Sequence, residues 1–458
     1  MLKRKAYDKL LAWKQKKQKQ ALCVIGARQI GKTTLIREFG KKNYKYFVEL
    51  NFVLDEKAHS IFSESLDAKT IITNLTAYVQ KKMSPNETLI FFDEIQACPN
   101  ARTAIKFLVE DGRFDYIESG SLLGTRYKEV RSYPVGFEEI YYMYPMDFEE
   151  YLWANNVQES TINYLRSSFD TLTPVTESIH STLLKLFYSY IVVGGMPAVV
   201  QTFVKTHDIT NVINNQRSII DLYRLDIAQY AEKNDQPKIK GIFDSIPAQL
   251  DEKNRRFILT KLDEHGRQNR YQNSFLWLSD AGVALPCYNI TTPQPPLQLN
   301  QKHNLFKLFM ADTGLLCAAC MDNVQFSILQ GDLSINMGSI LENLMAQIIK
   351  ANGFNLNYFD SKKYGELDFV IQNGTQIDLL EIKSGNDYKQ HSALNKVLKV
   401  SEWNFKNAFV FCKGNIEIID NITYLPWYMI MFYKPKELPQ QLIYEIDLSA
   451  LQPKSNQD

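Results

Sequence analysis

The chain has 458 residues, of which 45% are hydrophobic and 22% are charged, and its formal net charge is +1. This length is more than one hydrophobic core usually holds, so it predicts about three domains. The balanced charge excludes a protein-wide attraction to nucleic acid or to an anionic membrane, so such a contact needs a local basic patch.

Hydropathy and cysteine usage predict a cytoplasmic protein that does not contact a membrane. The longest apolar stretches, residues 191–200 and 425–432, are too short to span a bilayer, and the N-terminus lacks the apolar core of a signal peptide. The six cysteines lie in apolar surroundings, which is typical of reduced, buried thiols. Cys317 and Cys320 form a C-x-x-C pair without a second pair or a His cluster, so we interpret them as packing residues.

A basic segment lies at the N-terminus. Residues 3–19 contain eight Lys or Arg and one acid, Asp8, and Leu10 and Trp13 are spaced as in an amphipathic helix. Two interpretations stay open. The helix contacts DNA, or its apolar side packs on the following domain and its basic side is simply solvated.

A glycine-rich turn follows, between an apolar run and a helical pattern. Residues 21–25 predict a buried strand, Gly26 and Gly31 allow a tight turn, and Thr33 opens a helix whose positive end favours an anion. The pattern G-x-x-x-x-G-K-[ST] predicts that Lys32 reaches the β- and γ-phosphates of a nucleotide and that Thr33 ligates Mg²⁺. The predicted loop comprises Gly26, Ala27, Arg28, Gln29, Ile30, Gly31, Lys32, Thr33 and Thr34. The alternative is an ordinary strand-to-helix turn.

A second apolar run ends in two carboxylates. Residues 88–92 predict a strand, after which Asp93 would hold Mg²⁺ and Glu94 would polarise the attacking water. Acids in this position are often only helix caps. Together with the glycine-rich loop, however, they predict a site for a nucleoside triphosphate, with ATP and Mg²⁺ as the expected ligands.

Other elements of the first 146 residues alternate between strand and helix. Strands are predicted at 46–52 and 116–118, and helices at 65–82 and 101–109. This alternation predicts a parallel sheet with its ligand at the strand ends. Ser119 and Ser121 follow the strand at 116–118, and either would sense the γ-phosphate unless the segment is only a turn.

Six motifs in this order resemble the prokaryotic AAA-like ATPases that carry a C-terminal region called DUF4143. The motifs are Gly26-Ala-Arg-Gln-Ile-Gly-Lys-Thr-Thr, Phe92-Asp-Glu-Ile-Gln, Ser119-Gly-Ser, Tyr144-Pro-Met-Asp-Phe-Glu-Glu-Tyr-Leu, Gly194-Gly-Met-Pro and Phe306-Lys-Leu-Phe-Met-Ala-Asp-Thr-Gly-Leu-Leu. Relatives have a basic residue after the glycine of a Pro-Val-Gly segment, whereas Phe137 follows Gly136 here. The arginine that would act on a neighbouring subunit is therefore unassigned, with Arg126 and Arg131 as candidates in an oligomer.

The resemblance implies a helical lid over residues 147–217. Aromatic stripes in this segment are typical of a core, and Gly194-Gly195 interrupts the helical pattern just before Pro197, which suits the first turn of a new helix.

Residues 218–322 predict helices and then a β-hairpin, as in a winged helix. The predicted helices are 238–250, 254–262 and 272–280, and the predicted strands are 284–291 and 306–310. The segment resembles the winged-helix part of DUF4143, in which Arg267, Arg270, Tyr271 and Gln272 would approach a phosphate backbone. A structural or protein-docking winged helix is the alternative, because few positive charges cluster here.

Residues 323–451 contain a second group of charged residues on a predicted hairpin. Asn373-Gly374 is a strong hairpin signal, and we predict that Gln372 faces Thr375. This register places Glu366 opposite Glu381 and Asp368 opposite Leu379, with Glu366, Asp368, Glu381 and Lys383 on one face. Paired carboxylates repel each other across strands, which favours a shared divalent cation.

These acids and the lysine resemble the PD-(D/E)xK nuclease site. In that family acids hold Mg²⁺ and the lysine orients water, so the resemblance implies Asp368 and Glu381 as metal ligands and Lys383 as catalytic. Glu342, on a helix predicted at 338–350, matches the helical acid of the site. The alternative is the polar face of a half-exposed sheet, and such folds also serve as inactive binding modules.

The sequence thus predicts an α/β protein: a P-loop NTPase sheet with a helical lid, then a winged helix, a restriction-endonuclease-like domain and a polar tail at 452–458. The expected function is a Mg²⁺-dependent ATPase whose nucleotide state controls a C-terminal DNA-binding or nuclease-like region. The alternatives are a regulatory ATPase that uses this region only to bind DNA or a protein, and a signalling scaffold.

Overall fold

A computed structural model describes most of the chain. The described residues are 2–17, 19–120, 134–252, 256–264, 266–321, 324–331, 337–403, 405, 407–436 and 443–446. They form the predicted α/β fold, with a parallel sheet first, a helical region next and two further sheets towards the C-terminus.

The first sheet has five parallel strands in the order β2-β3-β4-β1-β5. Its strands are β1 (Ala21–Ile25), β2 (Tyr46–Asn51), β3 (Thr88–Asp93), β4 (Asp115–Gly120) and β5 (Glu138–Tyr142). Its helices are α1 (Lys5–Lys14), α2 (Lys32–Asn43), α3 (Ala68–Val79) and α4 (Pro99–Asp111). Strands β1 and β3 are buried along their whole length, which explains their unbroken apolar sequences. Their carboxyl ends meet at one edge of the sheet, where ligands of such folds bind.

The basic helix α1 packs on this domain. Leu10 and Trp13 are buried, and the nearby lysines bind carboxylates of the domain and of the following region. Their ion pairs include Lys5 with Asp147 and Glu149, Lys16 with Glu139, and Lys19 with Asp115. The structure therefore has the packed arrangement, in which much of the positive charge is already neutralised.

A helical region follows the first sheet. It comprises α5 (Phe148–Ala154), α6 (Glu159–Thr171), α7 (Glu177–Val193), α8 (Pro197–Thr206) and α9 (Ile209–Tyr230). Asp147 begins α5 with a capping box to Glu150, and Pro197 occupies the first turn of α8 as predicted. The boundary predicted at residue 217 lies inside α9.

The predicted winged-helix segment contains two long helices and a hairpin. These are α10 (Gln236–Leu250), α11 (Gln268–Asp280), β6 (Ala284–Ile290) and β7 (Gln301–Met310). Where a helix was predicted at 254–262, the described residues form only a 3-10 turn at Leu259–Lys261. Strands β6 and β7 pair antiparallel as predicted, but β6 also pairs with β8 (Asn357–Ser361), which in turn pairs with β9 (Gly365–Leu367). The hairpin therefore joins a four-stranded sheet, β7-β6-β8-β9, that crosses the boundary predicted at residue 322.

The last region surrounds a mixed sheet of order β10-β11-β12-β14-β13. Its strands are β10 (Phe369–Asn373), β11 (Gln376–Ile382), β12 (Asn407–Cys412), β13 (Glu417–Ile419) and β14 (Ile422–Pro426). Its helices are α12 (Thr313–Cys320), α13 (Gln325–Leu329), α14 (Met337–Ala351) and α15 (Ser392–Leu398), with a 3-10 helix at Trp427–Phe432. The ring of Trp427 stacks on that of Phe187 with centroids 6.3 Å apart, so this region packs directly on α7.

The hairpin register differs from the prediction by two residues. Asn373 pairs with Gln376, so the turn is Gly374-Thr375, and Gly374 has the positive φ of 66° that a type II′ turn requires at its first central position. Asp368 lies between the end of β9 and the start of β10, where the chain bends from one sheet to the other. Glu366 consequently pairs with Asp360 of β8, and the predicted Glu366–Glu381 pairing is wrong.

Two simpler expectations are also resolved. Among the described residues no helix is both long and apolar enough to cross a membrane. Five of the six cysteines are buried and all six are free thiols, but Cys320 is exposed, so the prediction of burial is wrong for that residue.

Candidate nucleotide-binding site

The glycine-rich loop adopts backbone conformations that require glycine. Gly26 has φ 152°, and a Cβ there would lie 2.2 Å from the carbonyl oxygen of Met143. Gly31 has φ 89° and caps α2, which begins at Lys32, one residue before the predicted start at Thr33. The loop therefore ends at a helix N-terminus, whose free N–H groups and dipole favour a phosphate.

Lys32 lies under the loop rather than on the surface. Its side chain is 9% exposed, and its ammonium donates to the carbonyl oxygens of Gly26 and Ala27, both at 2.8 Å. Burial lowers the pKa of Lys32 to about 8, whereas the nearby carboxylates of Glu94 and Asp93 favour its charged form. The ammonium of Lys32 is thus held against the backbone of the glycine-rich loop.

Asp93 is the centre of a polar cluster at the end of β3. Thr33 Oγ1 donates to its two carboxylate oxygens at 3.0 and 3.2 Å, and Asn51 Nδ2 donates at 2.8 Å. Ser119 Oγ also donates to Asp93, so this serine lies at the site, while Ser121 falls outside the described residues. A hydroxyl beside a carboxylate suits Mg²⁺, which proteins hold with one or two carboxylates and substrate phosphates.

Glu94 adopts a left-handed backbone conformation with φ 55°. This conformation is uncommon for a residue with a side chain and is typical of functional turns. Gln96 Nε2 donates to the Glu94 carboxylate, and Glu94 lines the same cavity as Lys32 and Thr33. The predicted phosphate-, metal- and water-binding groups are therefore assembled around one cavity.

That cavity has a volume of about 730 Å³ and is lined by residues from several parts of the chain. The loop, the end of β2 and the N-terminus of α8 contribute most of its lining. Residues that sequence reasoning missed are Leu2, Arg4, Leu35, Asn51, Val53, Leu54, Pro197, Ala198 and Gln201. The Gly194-Gly195 break before Pro197 was the available signal, but its proximity to the loop depends on tertiary packing. The volume is in the range of small-molecule sites.

Arg28, from the loop, reaches out of the first domain. Its guanidinium pairs with Asp226 of α9 and donates to the Tyr230 hydroxyl at 2.8 Å, and its carbonyl accepts from Tyr223 at 3.1 Å. Next to it, a Cβ on Gly282 would lie 3.0 Å from the backbone nitrogen of Ala27. The glycine-rich loop thus contacts both α9 and the turn between α11 and β6.

The C-terminal charged residues are also brought together, but around a lysine that sequence reasoning missed. Lys307 of β7 and Glu342 of α14 are both 0% exposed. Lys307 Nζ lies 2.5 Å from Glu342 Oε1 and 2.6 Å from Glu366 Oε1. A lysine inside the apolar run Phe306-Lys-Leu-Phe-Met was the available signal, because lysine is rarely buried without a partner.

The other half of this group contains Asp368, Glu381 and Lys383. Lys383 Nζ pairs with Glu381 Oε1 at 2.8 Å, and Asp368 accepts from the Ile382 N–H at 2.7 Å. Burial, with a further contribution from Asp368, raises the pKa of Glu381 to about 7, and Lys383 opposes this rise. Across the described residues no set of three or more His, Cys, Asp or Glu side chains is arranged to hold a metal ion.

The predicted nucleic-acid residues divide into two kinds. Arg267, Arg270 and Gln272 are exposed on or beside the first turn of α11. Tyr271 is 7% exposed and its hydroxyl donates to Asp263 at 3.0 Å, so the expectation that it approaches a phosphate backbone is wrong. Arg126 and Arg131 lie outside the described residues.

Comparisons with known proteins assign three segments. Residues 18–152 match the family described as an AAA domain, residues 184–325 match a domain of unknown function, DUF8612, and residues 337–430 match DUF4143. A search of curated proteins found no match.

A search of solved structures found matches that include the following three proteins. The Walker-type ATPase PABY2304 of Pyrococcus abyssi aligns at 12% identity and a TM-score of 0.42, covering 70% of this chain and 96% of its own. The Aeropyrum pernix Orc1 protein in complex with DNA aligns at 11% and 0.28, covering 70% and 93%. The Thermotoga maritima RuvB Holliday junction branch migration motor aligns at 12% and 0.27, covering 62% and 89%. The match to the AAA domain, over residues 18–152, covers all five strands of the parallel sheet. The chain carries an N-terminal AAA domain of the P-loop ATPase type and a C-terminal DUF4143 region.

Proposed function

We propose that this protein is a Mg²⁺-dependent ATPase whose nucleotide state controls its C-terminal region. The observation that carries the proposal is a set of buried hydrogen bonds that, together with the short backbone segments between them, extends from the wall of the nucleotide cavity to α14. The C-terminal region then acts as a binding module for DNA or for a protein partner.

In the ATPase reaction the residues of the first domain have different roles. Lys32 and the N-terminus of α2 bind phosphate oxygens, and Thr33 and Asp93 would hold Mg²⁺. Bound Mg²⁺ supplies neutralisation of the phosphate charge. Glu94, positioned by Gln96, orients and deprotonates the attacking water, and Ser119 keeps Asp93 in place.

The first step of the coupling runs from the cavity to the start of α8. Pro197, Ala198 and Gln201 line the cavity, and the turn just before them is tightly held. Gly195 N–H donates to Asp312 Oδ2 at 2.6 Å, and Met146 N–H donates to the Gly195 carbonyl at 2.7 Å. A nucleotide that shifts α8 therefore also displaces Asp312 through its hydrogen bond with Gly195.

The second step runs from Asp312 to α14. Asp312 caps α12 by accepting from Leu315 N–H at 3.0 Å, and the next residue, Thr313, donates from its N–H to Gln347 Oε1 at 2.8 Å. Asn343 also bonds both backbone groups of Met310, at 2.8 and 3.1 Å. All these groups are buried, so breaking one bond leaves an unpaired polar atom and favours concerted movement.

A parallel contact connects the glycine-rich loop itself to α9. The Arg28–Asp226 pair lies beside the cavity, and the second oxygen of Asp226 is buried without a hydrogen-bond partner. Burial raises the pKa of Asp226, and Arg28 opposes this rise. The ionised form of Asp226 is therefore stabilised by Arg28. A phosphate that attracts the guanidinium would weaken this ion pair.

DNA is favoured as a partner by one feature only. Arg267 and Arg270 are exposed at the start of α11, where they are free of the packing that buries Tyr271. Two arginines would contribute a modest, salt-dependent affinity for phosphates. ATP turnover measured with and without DNA separates this partner from a protein partner, because only a coupled DNA site changes the rate.

Hydrogen exchange tests the coupling directly. With a non-hydrolysable ATP analogue, we expect the exchange of α8, α12 and α14 amides to slow in the wild-type protein and to stay unchanged in Lys32→Ala. If the wild-type protein binds the analogue to saturation while the α14 amides exchange at an unchanged rate, the proposed control of the C-terminal region is wrong.

A further inference from the structure

Lys307 holds three elements of the C-terminal region together. Its strand, β7, lies against α14, which carries Glu342, and near β9, which carries Glu366. The ammonium contacts both carboxylates at 2.5 and 2.6 Å and lies 4.9 Å from the centre of the Tyr358 ring. An ammonium has three N–H donors and no acceptor, so two donors are used by carboxylates and the aromatic face covers a further side.

A divalent cation held by Glu342 and Glu366 would need the oxygens that Lys307 already contacts. Mg²⁺ binds carboxylate oxygens at about 2.0–2.1 Å in a near-octahedral shell that retains waters. Glu342 Oε1 and Glu366 Oε1 already have a cation between them, and Lys307 and Glu342 are fully buried. A hydrated Mg²⁺ would have to displace the ammonium and could reach water only on the side of Glu366, whose side chain is 25% exposed. Of the remaining acids, Glu381 is paired with Lys383 through Oε1, while its Oε2 is buried without a hydrogen-bond partner, and Asp368 is bonded to the backbone of β11. Among the described residues no group of three or more candidate ligands is arranged to hold a metal ion. The residues present therefore do not fit the metal site that the PD-(D/E)xK resemblance implies.

We infer that Lys307 is a built-in cation that takes the place of the divalent metal ion, so that the C-terminal region folds and works without metal and does not cleave DNA. This inference deepens the proposed binding-module role and rests on it, but it is independent of ATP hydrolysis. Lys307 stands five residues before Asp312, the residue just after β7 that accepts from the Gly195 N–H.

A melting experiment on the full chain decides the question. Without nucleotide, we expect millimolar Mn²⁺ to leave the melting temperature of the wild-type protein unchanged, or to raise it by an amount that disappears in Asp93→Asn and persists in Asp368→Asn. A wild-type rise that disappears in Asp368→Asn overturns the inference, because it assigns the metal to the C-terminal group. Nicking of supercoiled DNA with Mn²⁺ that is lost in Asp368→Asn overturns it equally.

A gain-of-binding variant gives the positive test. Lys307→Met keeps the length of the side chain but leaves Glu342 and Glu366 without their cation, so Mn²⁺ should now raise the melting temperature by roughly 3 °C or more. Lys307→Arg keeps the charge and should not respond. A Lys307→Met protein that folds without responding to Mn²⁺ counts against the inference, and if it does not fold, the wild-type measurement decides. If the hydrogen-exchange experiment fails while Mn²⁺ still leaves the C-terminal region unaffected, only the proposed control by nucleotide is rejected.

Discussion

The nucleotide site and the C-terminal charged group use the same residue types and differ in access. In each, a lysine lies close to two carboxylates. Lys32 borders a cavity of about 730 Å³, whereas Lys307 is fully buried between two carboxylates. A lysine beside open space can bind an incoming phosphate, while a lysine enclosed by carboxylates can only stabilise the fold. Residue types alone therefore do not distinguish a ligand site from an internal ion pair.

The largest expected effect is on the open site. Glu94→Gln keeps the shape of the side chain but removes the base, so we expect kcat to fall by about 10²–10⁴-fold with ATP binding retained. Lys32→Ala should instead weaken ATP binding, because it removes the charge on the phosphates. Steady-state ATPase assays and binding of a fluorescent nucleotide measure the two effects.

Glu87→Gln is the matched control for Glu94→Gln, because Glu87 forms an exposed pair with Lys45 away from the cavity. This variant should hydrolyse ATP normally. A Glu94→Gln protein that turns over ATP at the wild-type rate would show that Glu94 is not the base. The catalytic role proposed for the nucleotide site would then be wrong.

The closed group predicts a large effect on stability. Lys307→Met leaves the buried carboxylate of Glu342 and the partly exposed carboxylate of Glu366 without their cation, so the free energy of unfolding should fall by about 3–5 kcal/mol. Lys389→Met is the control, because Lys389 forms a half-exposed pair with Glu417 and such pairs contribute about 0–1 kcal/mol. Urea denaturation compares the two variants. Equal losses would mean that Lys307 is no more important than a surface lysine.

The connection between the two regions has a pH signature at Asp312. Burial raises the pKa of Asp312 to about 6, against an ordinary value of 3.8, although its backbone N–H donors lower it. Between these values the folded state holds a proton that the unfolded state has lost. Stability should therefore fall as the pH rises from about 4 to about 6, by about 3 kcal/mol in total, and then stay level.

Asp312→Asn removes the titrating group and should remove this component of the slope. Urea unfolding of both proteins from pH 4 to pH 7 gives the difference, in which slopes from other groups cancel. Parallel curves for the wild-type protein and Asp312→Asn would show that Asp312 is ionised throughout this range.

Local patterns predicted which residues lie together at the ends of β1 and β3, because these residues lie close in sequence to the strands. The loop at 26–34 and the acids after β3 meet because parallel strands end at one edge of a sheet. The α14 helix was likewise predicted to within one residue at each end, since its apolar periodicity is strong.

The remaining features depend on contacts between distant segments. Nothing local specifies that β6 pairs with β8, and this pairing brings Lys307 to Glu366. The hairpin register was wrong because the chain bends at Asp368 and continues in a different sheet, while the prediction assumed one continuous strand. The contribution of α8 to the nucleotide cavity likewise results from tertiary packing, as does the Gly195–Asp312 bond.

The smallest expected effect concerns the contact between the open site and α9. Asp226→Asn keeps a hydrogen-bond acceptor near Arg28 but removes the charge that holds the guanidinium, so Arg28 becomes freer to bind a phosphate beside Lys32. We expect ATP to bind up to about tenfold more tightly, a change of about 1.4 kcal/mol. The nucleotide-dependent protection of α14 should persist, because that route passes through Asp312 instead. Asp244→Asn is the matched control, since Asp244 forms an exposed pair with Arg224 on the neighbouring helix. Weaker ATP binding in Asp226→Asn than in Asp244→Asn would mean that the Arg28–Asp226 pair holds the loop in its binding conformation. Arg28 would then stabilise the fold, as Lys307 does, and would not bind the phosphate.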